Sequence, residues 1–280
     1  MYRLKHVHCD GLQGFNGVQV TPIDPGQVTI AEGVHIPGEK WRLDNVRDLM
    51  QNPEYRRVSC SGESYRTATF ATKSSTAEAA RRHHTAYGMA LEGMRLLRKK
   101  TCDVAMFELY CRAWHEHSSV IWNEVLDNRR RKHRFLRFRA TQRALEAIAE
   151  EIAPIKGGKH LYGQRIVIFE DGLWQAKRGA AASPIKKIVR VLCPRAVTVI
   201  TPAPYSTITC PGCGHRNVEG TDYRTRLCTT GRGCQLHIEG EECSFDRDIG
   251  GRTNSGLRGV YVIAGVWSAD RSWIPVGYEQ

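Results

Sequence analysis

The alternation of apolar and polar residues near the start of the chain predicts β-strands. Residues 17–35 indicate two strands joined by a tight turn at Pro25-Gly26. The stretch YRTATFATK, residues 65–73, alternates in the same way and predicts a third strand. The opening of the chain is therefore expected to form a three-stranded meander.

A helical block follows these strands. From Thr76 to about Ala153 the apolar residues recur at helical spacing, as in AEAARRHHTAYGMALEGMRLLRKK and FRATQRALEAIAEEIAP. Pro154 and the pair Gly157-Gly158 end the last of these predicted helices.

The second half of the chain returns to short apolar strands separated by helices. GQRIVIFEDG is bounded by glycine and predicts a buried strand, and AVTVIT predicts a fifth strand. Between them, SPIKKIVRVL predicts a helix with Ser183 as its cap and Pro184 in its first turn. From Asp246 to about Val266 we expect a helix weakened by four glycines, Gly250, Gly251, Gly256 and Gly259. These elements predict an α/β fold.

The composition limits the class of protein and its partners. With 280 residues, 41% of them hydrophobic, the chain can bury a sizeable core as one large domain with an insertion or as two smaller ones. Lys and Arg number 41 against 29 acids, and the formal charge of +12 favours nucleic acid as a partner. No membrane-spanning run or signal peptide is found, so we expect an intracellular protein, nuclear in a eukaryote and otherwise cytoplasmic. Ten cysteines in a reducing compartment indicate metal ligation more than disulfides.

Four cysteines form the most specific motif of the sequence. Cys210 and Cys213 are a C-x-x-C pair, and Cys228 and Cys234 follow as a second pair. Four thiolates suit tetrahedral Zn²⁺, and such a site is structural because it leaves no open position for a substrate. The simpler interpretation is a chance cluster of buried thiols. Cys243 is an alternative to Cys234 as the fourth ligand, and the spacing does not decide between them.

Three acidic residues stand where carboxylates can meet at one edge of a sheet. Asp24 follows the first strand, Glu170 follows the buried strand at 166–169, and Asp248 opens the last helix. Each has a simpler interpretation: Asp24 suits a turn, Glu170 a hairpin corner, and Asp246 or Asp248 a helix cap. In combination, their order along the chain is the one expected of an RNase H-like nuclease.

Cleavage of a phosphodiester bond explains why such carboxylates would be gathered. Two Mg²⁺ ions about 4 Å apart can activate a water and stabilise the leaving oxygen in an in-line displacement. Mg²⁺ takes oxygen ligands and keeps several waters, so a few carboxylates are enough. Without metal, the three acids would repel one another.

Residues 127–143, DNRRRKHRFLRFRATQR, combine basic side chains with aromatic ones. This pattern suits a helix that follows a phosphate backbone. The alternative is a solvated helix face whose apolar residues pack inward. The candidate nucleic-acid-binding residues are Arg129, Arg130, Arg131, Lys132, Arg134, Arg137 and Arg139.

Four stretches of the sequence, in this order and at these separations, resemble a known nuclease family: IDPG, IFEDG, YSTITCPGCGH and FDRDIGGRTN. They are similar to the RuvC nuclease half of the TnpB proteins, which are transposon-encoded RNA-guided DNA endonucleases, and of their eukaryotic relatives, the Fanzor proteins. The resemblance covers roughly residues 17–260. The loop after Glu170 and the gap between Cys228 and Cys234 are closer to the Fanzor branch.

The resemblance implies an RNase H-like (RuvC) α/β fold with a mixed sheet, a helical insertion and an inserted zinc-binding knuckle. Residues 1–204 would form the nuclease core, with the helical insertion at about 76–153. Residues 205–245 would form the zinc-binding insertion, and residues 246–280 the C-terminal helix and tail that complete the core.

The resemblance also implies the site residues and the function. The catalytic acids that hold two Mg²⁺ would be Asp24, Glu170 and Asp248. One structural Zn²⁺ would be bound by Cys210, Cys213, Cys228 and Cys234. The implied function is a metal-dependent DNA endonuclease that cleaves by a two-metal mechanism, with DNA and a guide RNA as partners.

The sequence departs from the family pattern in three places. Where the last family motif continues with Asn-Ala-Ala, this chain has Gly250-Gly251-Arg252, and each Gly lowers helix propensity by about 1 kcal/mol. Some Fanzor proteins place the second acid near the zinc motif, which makes Glu241 and Glu242 rivals of Glu170. Family members also carry a guide-binding lobe ahead of the first acid, whereas 23 residues precede Asp24 here. We therefore expect that lobe to come from another chain or from residues outside this sequence.

Two functions remain open from the sequence. The retained acids favour the endonuclease. The glycines and the missing lobe favour the alternative, a decayed or repurposed RuvC-fold protein that binds nucleic acid without cutting it.

Overall fold

The chain divides into two units in the computed structural model of the protein. The first unit combines Met1–Gly62 with Leu145–Gln280, and the second is Glu63–Ala144. The structure describes residues 15–26, 29–97, 99–155, 164–170, 184–201, 206–239, 241 and 243–264.

Five strands form the main sheet of the first unit: β1 (Gln19–Asp24), β2 (Thr29–Pro37), β3 (Arg56–Ser61), β4 (Arg165–Glu170) and β5 (Val197–Thr201). Their order across the sheet is β3-β2-β1-β4-β5. β2 pairs antiparallel with β1 and β3, whereas β4 pairs parallel with β1 and β5. The prediction of an α/β fold with a mixed sheet is confirmed.

The predicted third strand at residues 65–73 is wrong. These residues belong to two helices, Gly62–Ala68 and Ala71–Arg82, and the strand that pairs with β2 is β3, a few residues earlier. In YRTATFATK, threonine alternates with alanine and phenylalanine. This alternation does not mark a buried face, because most of these side chains are exposed. The hydroxyl of Thr69 donates to the carbonyl of Tyr65 at 2.8 Å, which satisfies it within the helix.

Eight helices are formed by the described residues: α1 (Val46–Gln51), α2 (Gly62–Ala68), α3 (Ala71–Arg82), α4 (Ala86–Arg95), α5 (Val104–Leu126), α6 (Asn128–Ile152), α7 (Ile185–Leu192) and α8 (Arg247–Ile263). The predicted helical block is present, but it begins at Gly62 rather than Thr76. The α7 cap predicted at Ser183 and the stop at Gly157-Gly158 lie outside the described residues.

The last helix packs on one face of the sheet, where it covers the apolar core of the first unit. Leu257 and Val260 of α8 are buried with Trp41 and with the strand residues Val20, Val34, Ile36, Ile166 and Ile168. A Cβ atom at Gly256 would collide with the Trp41 ring, and one at Gly259 would lie 2.6 Å from Ile168. The glycines that lower helix propensity therefore allow α8 to approach the sheet closely, and α8 is continuous over 17 residues.

A small antiparallel sheet lies between β5 and α8 in the sequence. Its strands are β6 (Val218–Glu219), β7 (Thr225–Leu227) and β8 (Ser244–Asp246), in the order β6-β7-β8. β8 runs directly into the first residue of α8.

The second unit is helical and has a small core. Tyr87 and Ala90 of α4 are buried with Ile121 of α5. Asp103 caps α5, because its carboxylate accepts hydrogen bonds from the N–H groups of Ala105 and Met106. In the described part of the chain, no helix combines the length and apolar character needed to cross a membrane.

Candidate functional site

Asp24 and Glu170 end neighbouring parallel strands. Ile23 of β1 is the register partner of Phe169 of β4, so the two acids follow at the same edge of the sheet. Both lie on the face that carries the core residues Val20, Ile166 and Ile168. Glu170 is 4% exposed, and a buried carboxylate requires a partner or a cation.

Asp248 reaches the same edge from the first turn of α8. The helix is capped by Asp246, whose carboxylate accepts hydrogen bonds from the N–H groups of Asp248 at 2.8 Å and Ile249 at 3.0 Å. The Arg247 guanidinium donates to Oδ1 of Asp248 from Nε at 3.0 Å and from Nη2 at 2.9 Å, and it lies 5.1 Å from the centre of the Tyr223 ring. Asp246 therefore serves as the cap, which leaves the Asp248 carboxylate available for another role.

Burial and the charges of nearby acids set the electrostatics of Asp24. The pKa of Asp24 is raised to about 8, first by burial and then by the charges of Glu170, Asp248 and Glu32, in that order of size. Arg247 opposes the rise. Burial and nearby acids both make this carboxyl costly to ionise, and a bound divalent cation would lower that cost.

Helix α8 presents three polar residues to the acidic edge, at the spacing i, i+4 and i+7. They are Asp248, Arg252 and Ser255. The Ser255 hydroxyl donates to Oε1 of Glu170. The Arg252 guanidinium lies 3.4 Å from Oε1 of Glu32, measured from Nη1, and is 3% exposed. Burial lowers the pKa of Arg252, and the charge of Glu32 acts against this.

Sequence analysis missed Glu32, Arg252 and Ser255. Glu32 is the register partner of Asp24 across the β1–β2 hairpin, so the two acids share a face of the sheet. The register of the β1–β2 hairpin points to Glu32. The helical spacing from Asp248 points to Arg252 and Ser255. The sequence-based rival Glu241 is exposed in a turn in which its N–H donates to the carbonyl of Ile238, and Glu242 lies outside the described residues.

The four predicted zinc ligands are brought together. The ligand atoms of Cys210, Cys213, Cys228 and Cys234 all lie within 4.8 Å of one another, and all four residues are buried. The Sγ atoms of Cys210 and Cys234 are 3.6 Å apart, and those of Cys213 and Cys228 are 3.4 Å apart. Thiolates at about 2.3 Å from a tetrahedral Zn²⁺ are about 3.8 Å from each other, so the residues present fit that ion.

The turn between the first two cysteines depends on glycine. The N–H of Gly214 donates to the carbonyl of Cys210 at 2.8 Å, and Gly214 has a φ of +75°, which other residues rarely adopt. A Cβ atom at Gly212 would lie 2.9 Å from the Sγ atom of Cys234. Within the described residues, this cysteine cluster is the one group of three or more possible ligands whose ligand atoms all lie so close together.

The predicted nucleic-acid-binding residues lie on α6, and all but one are exposed. The exception is Arg130, which is 8% exposed and lies against Glu78 at 3.3 Å, Glu124 at 3.5 Å and the ring of Tyr87 at 5.0 Å. Its charge is therefore neutralised inside the second unit, and we remove it from the candidate surface. The remaining surface contains Arg129, Arg131, Lys132, Arg134, Arg137 and Arg139.

Aromatic side chains of α6 are exposed among these basic residues. Phe135 is 58% exposed and Phe138 is 60% exposed, so they do not pack inward as the alternative interpretation required. The Arg139 guanidinium lies 5.9 Å from the centre of the Phe135 ring. Exposed rings beside cationic groups can stack on bases while the cations contact phosphates.

Comparison with known proteins gives similarity to solved structures but to no known family. No protein-family model matches the sequence, and no curated protein matches it. Among solved structures, the chain is similar to the mini-RNA-guided endonuclease CRISPR-Cas_phi3, with 12% sequence identity and a TM-score of 0.47. The similarity covers 86% of this chain and 45% of that chain, so this chain spans less than half of the other's length. Similarity at this level does not establish a shared function.

Proposed function

We propose that the protein is a metal-dependent nuclease that cleaves phosphodiester bonds in DNA, with Asp24, Glu170 and Asp248 as catalytic acids. The observation that carries the proposal is the environment of Asp24. It ends a strand beside Glu170, and its pKa is raised first by burial and then by the charges of Glu170 and Asp248. Acids that are distant in sequence and lie near one sheet edge support a site of the kind that metal-dependent cleavage requires.

The finer proposal is an RNase H-like (RuvC) nuclease of the TnpB and Fanzor type that uses a guide RNA. It is supported by the four sequence stretches that resemble this family. It is also supported by the mixed sheet, because an acid after β1 and an acid after β4 reach the same edge when those strands are parallel neighbours. A second chain with a guide-binding lobe is part of this proposal.

In this proposal the three acids would hold two Mg²⁺ ions, which activate a water and stabilise the leaving oxygen. Asp24 is best placed to be shared between the ions, because both other acids act on it electrostatically. Glu170 and Asp248 would then bind different ions. Carboxylates that bind different ions about 4 Å apart need not approach each other as closely as the ligands of a single ion do.

Neighbouring residues would hold the acids in position. Ser255 donates to Glu170 and fixes its orientation. Arg247 donates twice to one oxygen of Asp248, which leaves the other oxygen for a cation. Arg252 pairs with Glu32 and so removes part of the negative charge near Asp24.

The proposed substrate surface is the exposed basic face of α6. Its arginines and Lys132 would contact phosphates, and Phe135 and Phe138 would stack on bases. The four-cysteine site is proposed to hold one structural Zn²⁺, since it has no open ligand position.

Cleavage of labelled single-stranded DNA tests the proposal directly. The purified chain should cut with Mg²⁺ and not with EDTA, and Asp24→Asn should abolish cutting while leaving the fold intact. Asp44→Asn is the matched control, because Asp44 is exposed and bonded to Arg42. Full cleavage by the Asp24→Asn protein would overturn the assignment of Asp24.

The second candidate is a protein that binds nucleic acid without cutting it. The observation that favours it is Arg252, a buried cation beside Glu32 where the family motif has a small residue. This candidate predicts DNA binding with a steep salt dependence and no cleavage with Mg²⁺ or Mn²⁺. Cleavage that is lost in Asp24→Asn would exclude it.

A further inference from the structure

We propose that the zinc centre contains a fifth thiol, and that Cys243 exchanges with Cys234 as the fourth ligand. This inference rests on the proposed zinc site but not on nuclease activity. Three ligands, Cys210, Cys213 and Cys228, would be permanent, and the fourth position would be shared.

The position of Cys243 makes the exchange possible. Its Sγ atom is 3.9 Å from the Sγ atom of Cys234, close to the separation of about 3.8 Å expected between two ligands of one Zn²⁺. Cys243 is 6% exposed, so its thiol is shielded from solvent beside the cluster. A buried thiol at this distance needs a short movement to reach the ion.

The backbone holds Cys243 beside a permanent ligand. The N–H of Cys228 donates to the carbonyl of Cys243 at 2.8 Å, which continues the pairing of β7 with β8 by one residue. The two cysteines are therefore neighbours across an antiparallel pair, and their side chains share one face. Cys243 is fixed by a ladder of hydrogen bonds at the edge of the cluster.

Cys234 is held differently. It follows a single 3-10 turn at Gly231–Gly233, and its N–H donates to the carbonyl of Gly231 at 2.9 Å. Gly231 has a φ of +63°, so the turn depends on glycine at that position. A ligand on a short glycine-containing turn can move away from the ion with less disruption than a ligand on a paired strand.

The exchange is balanced in atoms and charge. Cys243 would take the place of Cys234 as ligand, and the released Cys234 sulfur would take up the proton that the Cys243 thiol gives up. The centre keeps four thiolates throughout, and no oxidant or reductant is needed.

The exchange would connect the metal to the acidic edge. Cys243 is followed at once by β8, by the cap residue Asp246 and by Asp248. With Cys243 as the ligand, the ion would be joined to Asp248 through the four residues 244–247, whereas ligation by Cys234 would leave that segment without a bond to the ion.

Zinc content of cysteine-to-serine variants tests the exchange. We expect about one equivalent in the wild type, in Cys234→Ser and in Cys243→Ser, and loss in Cys213→Ser and in the Cys234→Ser/Cys243→Ser double variant. Cys193→Ser is the matched control, because Cys193 is exposed and lies outside the cluster. Loss of zinc in either single variant, to the level of Cys213→Ser, would overturn the exchange. Absence of zinc from the wild type would overturn the site itself.

A measurement on the wild type remains informative if a variant does not fold. Zinc-loaded protein is treated with a limiting amount of an alkylating agent, and the singly modified molecules that retain zinc are mapped by mass spectrometry. The exchange predicts modification of Cys234 in some molecules and of Cys243 in others. Modification of one of these two cysteines alone would show a fixed ligand set and contradict the proposal.

Discussion

The Asp24 carboxyl shows how a single side chain can couple the fold to a metal. Because its pKa of about 8 lies well above its usual value, Asp24 is mainly protonated at neutral pH when no cation is bound. A divalent cation must displace this proton in order to bind. Metal affinity should therefore increase as the pH rises towards 8.

The same shift makes stability depend on pH in a direction that can be checked. The folded state holds the proton on Asp24 between about pH 4 and pH 8 and the unfolded state does not, so this group lowers the free energy of unfolding as the pH rises through that interval. In EDTA, the wild type should therefore lose stability from pH 5 to pH 8 relative to Asp24→Asn. The difference in Tm, variant minus wild type, should increase over this range. Thermal melts of both proteins, with Asp44→Asn as control, measure this. A Tm difference that stays constant with pH would contradict the raised pKa.

The Glu32–Arg252 pair gives a second prediction for single residues. Arg252 is buried and its Nε has no hydrogen-bond partner, and Glu32 is the acid that most stabilises its charge, so Glu32→Gln removes most of that compensation. We expect a loss of about 1–3 kcal/mol in the free energy of unfolding. The double variant Glu32→Gln/Arg252→Met should recover part of that loss, because both partners are removed together.

Urea unfolding in EDTA measures the free energy of unfolding of the wild type, of Glu32→Gln, of Arg252→Met and of the double variant. Asp44→Asn is the control, because it breaks an exposed pair with Arg42 and should change stability by less than about 0.5 kcal/mol. Additive losses in the double variant would show that Glu32 and Arg252 are not coupled.

The roles of some single residues could be predicted from the sequence, and those of others could not. The acids Asp24, Glu170 and Asp248 could be proposed from the sequence because each ends or opens a recognisable element. Their partners were missed, since Glu32 depends on the hairpin register and Ser255 on the direction in which α8 crosses the sheet. Arg130 was assigned to a surface because it lies in a run of basic residues, although contacts with Glu78, Glu124 and Tyr87 of other helices bury it.

Among the elements, α8 depends most on its glycines. Gly256 faces the Trp41 ring, which is fully buried and cannot move aside. Gly256→Ala should therefore lower the free energy of unfolding by about 1–3 kcal/mol through overpacking, even though alanine favours a helix. Gly93→Ala on α4 is the control: its Cβ would meet the far end of the His117 side chain, so the gain in helix propensity should dominate. Stabilisation by Gly256→Ala would contradict the close packing of α8.

Helix α6 gives a prediction about binding. Replacing its exposed Arg131, Arg134 and Arg137 together should reduce the slope of log affinity for DNA against log salt by up to about 0.9 for each phosphate that these arginines neutralise. The control triple is Arg82, Arg95 and Arg112, which are exposed but paired with acids on their own helices. Equal slopes for the wild type and the α6 variant would assign α6 to a solvated face.

The elements themselves were predicted with one clear error. Strands β1, β2 and β4 have runs of buried apolar residues that a sequence pattern reveals, whereas β5 was predicted from its β-branched residues although its apolar side chains are only partly buried or exposed. Strand β3 buries one apolar side chain, Val58, and is an edge strand, so it lacks an apolar pattern. The weakness expected of α8 came from intrinsic propensity, which tertiary packing overrides.

At the scale of the first unit, α8 connects the sheet, the acidic edge and the cysteine cluster. Asn254 is fully buried, and its Nδ2 donates to the carbonyls of Ser206 at 2.6 Å and Thr209 at 2.9 Å, just before the first zinc ligand. The N–H of Arg247 donates to the carbonyl of Arg224 at 2.6 Å. The start of α8, and with it Asp248, therefore depends on the order of the cysteine region.

This connection predicts that loss of zinc weakens the magnesium site without direct contact between the two metals. Protein stripped of zinc by a strong chelator, then dialysed and supplied with Mg²⁺, should show a smaller Mg²⁺-induced rise in Tm than protein to which zinc has been restored. Hydrogen exchange should become faster at amides in the first turn of α8, while amides of β1 and β4 keep their protection, because those strands are held by the main sheet. Asn254→Ala should give a milder form of the same result with zinc still bound. If the Mg²⁺-induced shift is equal with and without zinc, the cysteine region does not position Asp248, and the acidic edge is maintained by the sheet and α8 alone.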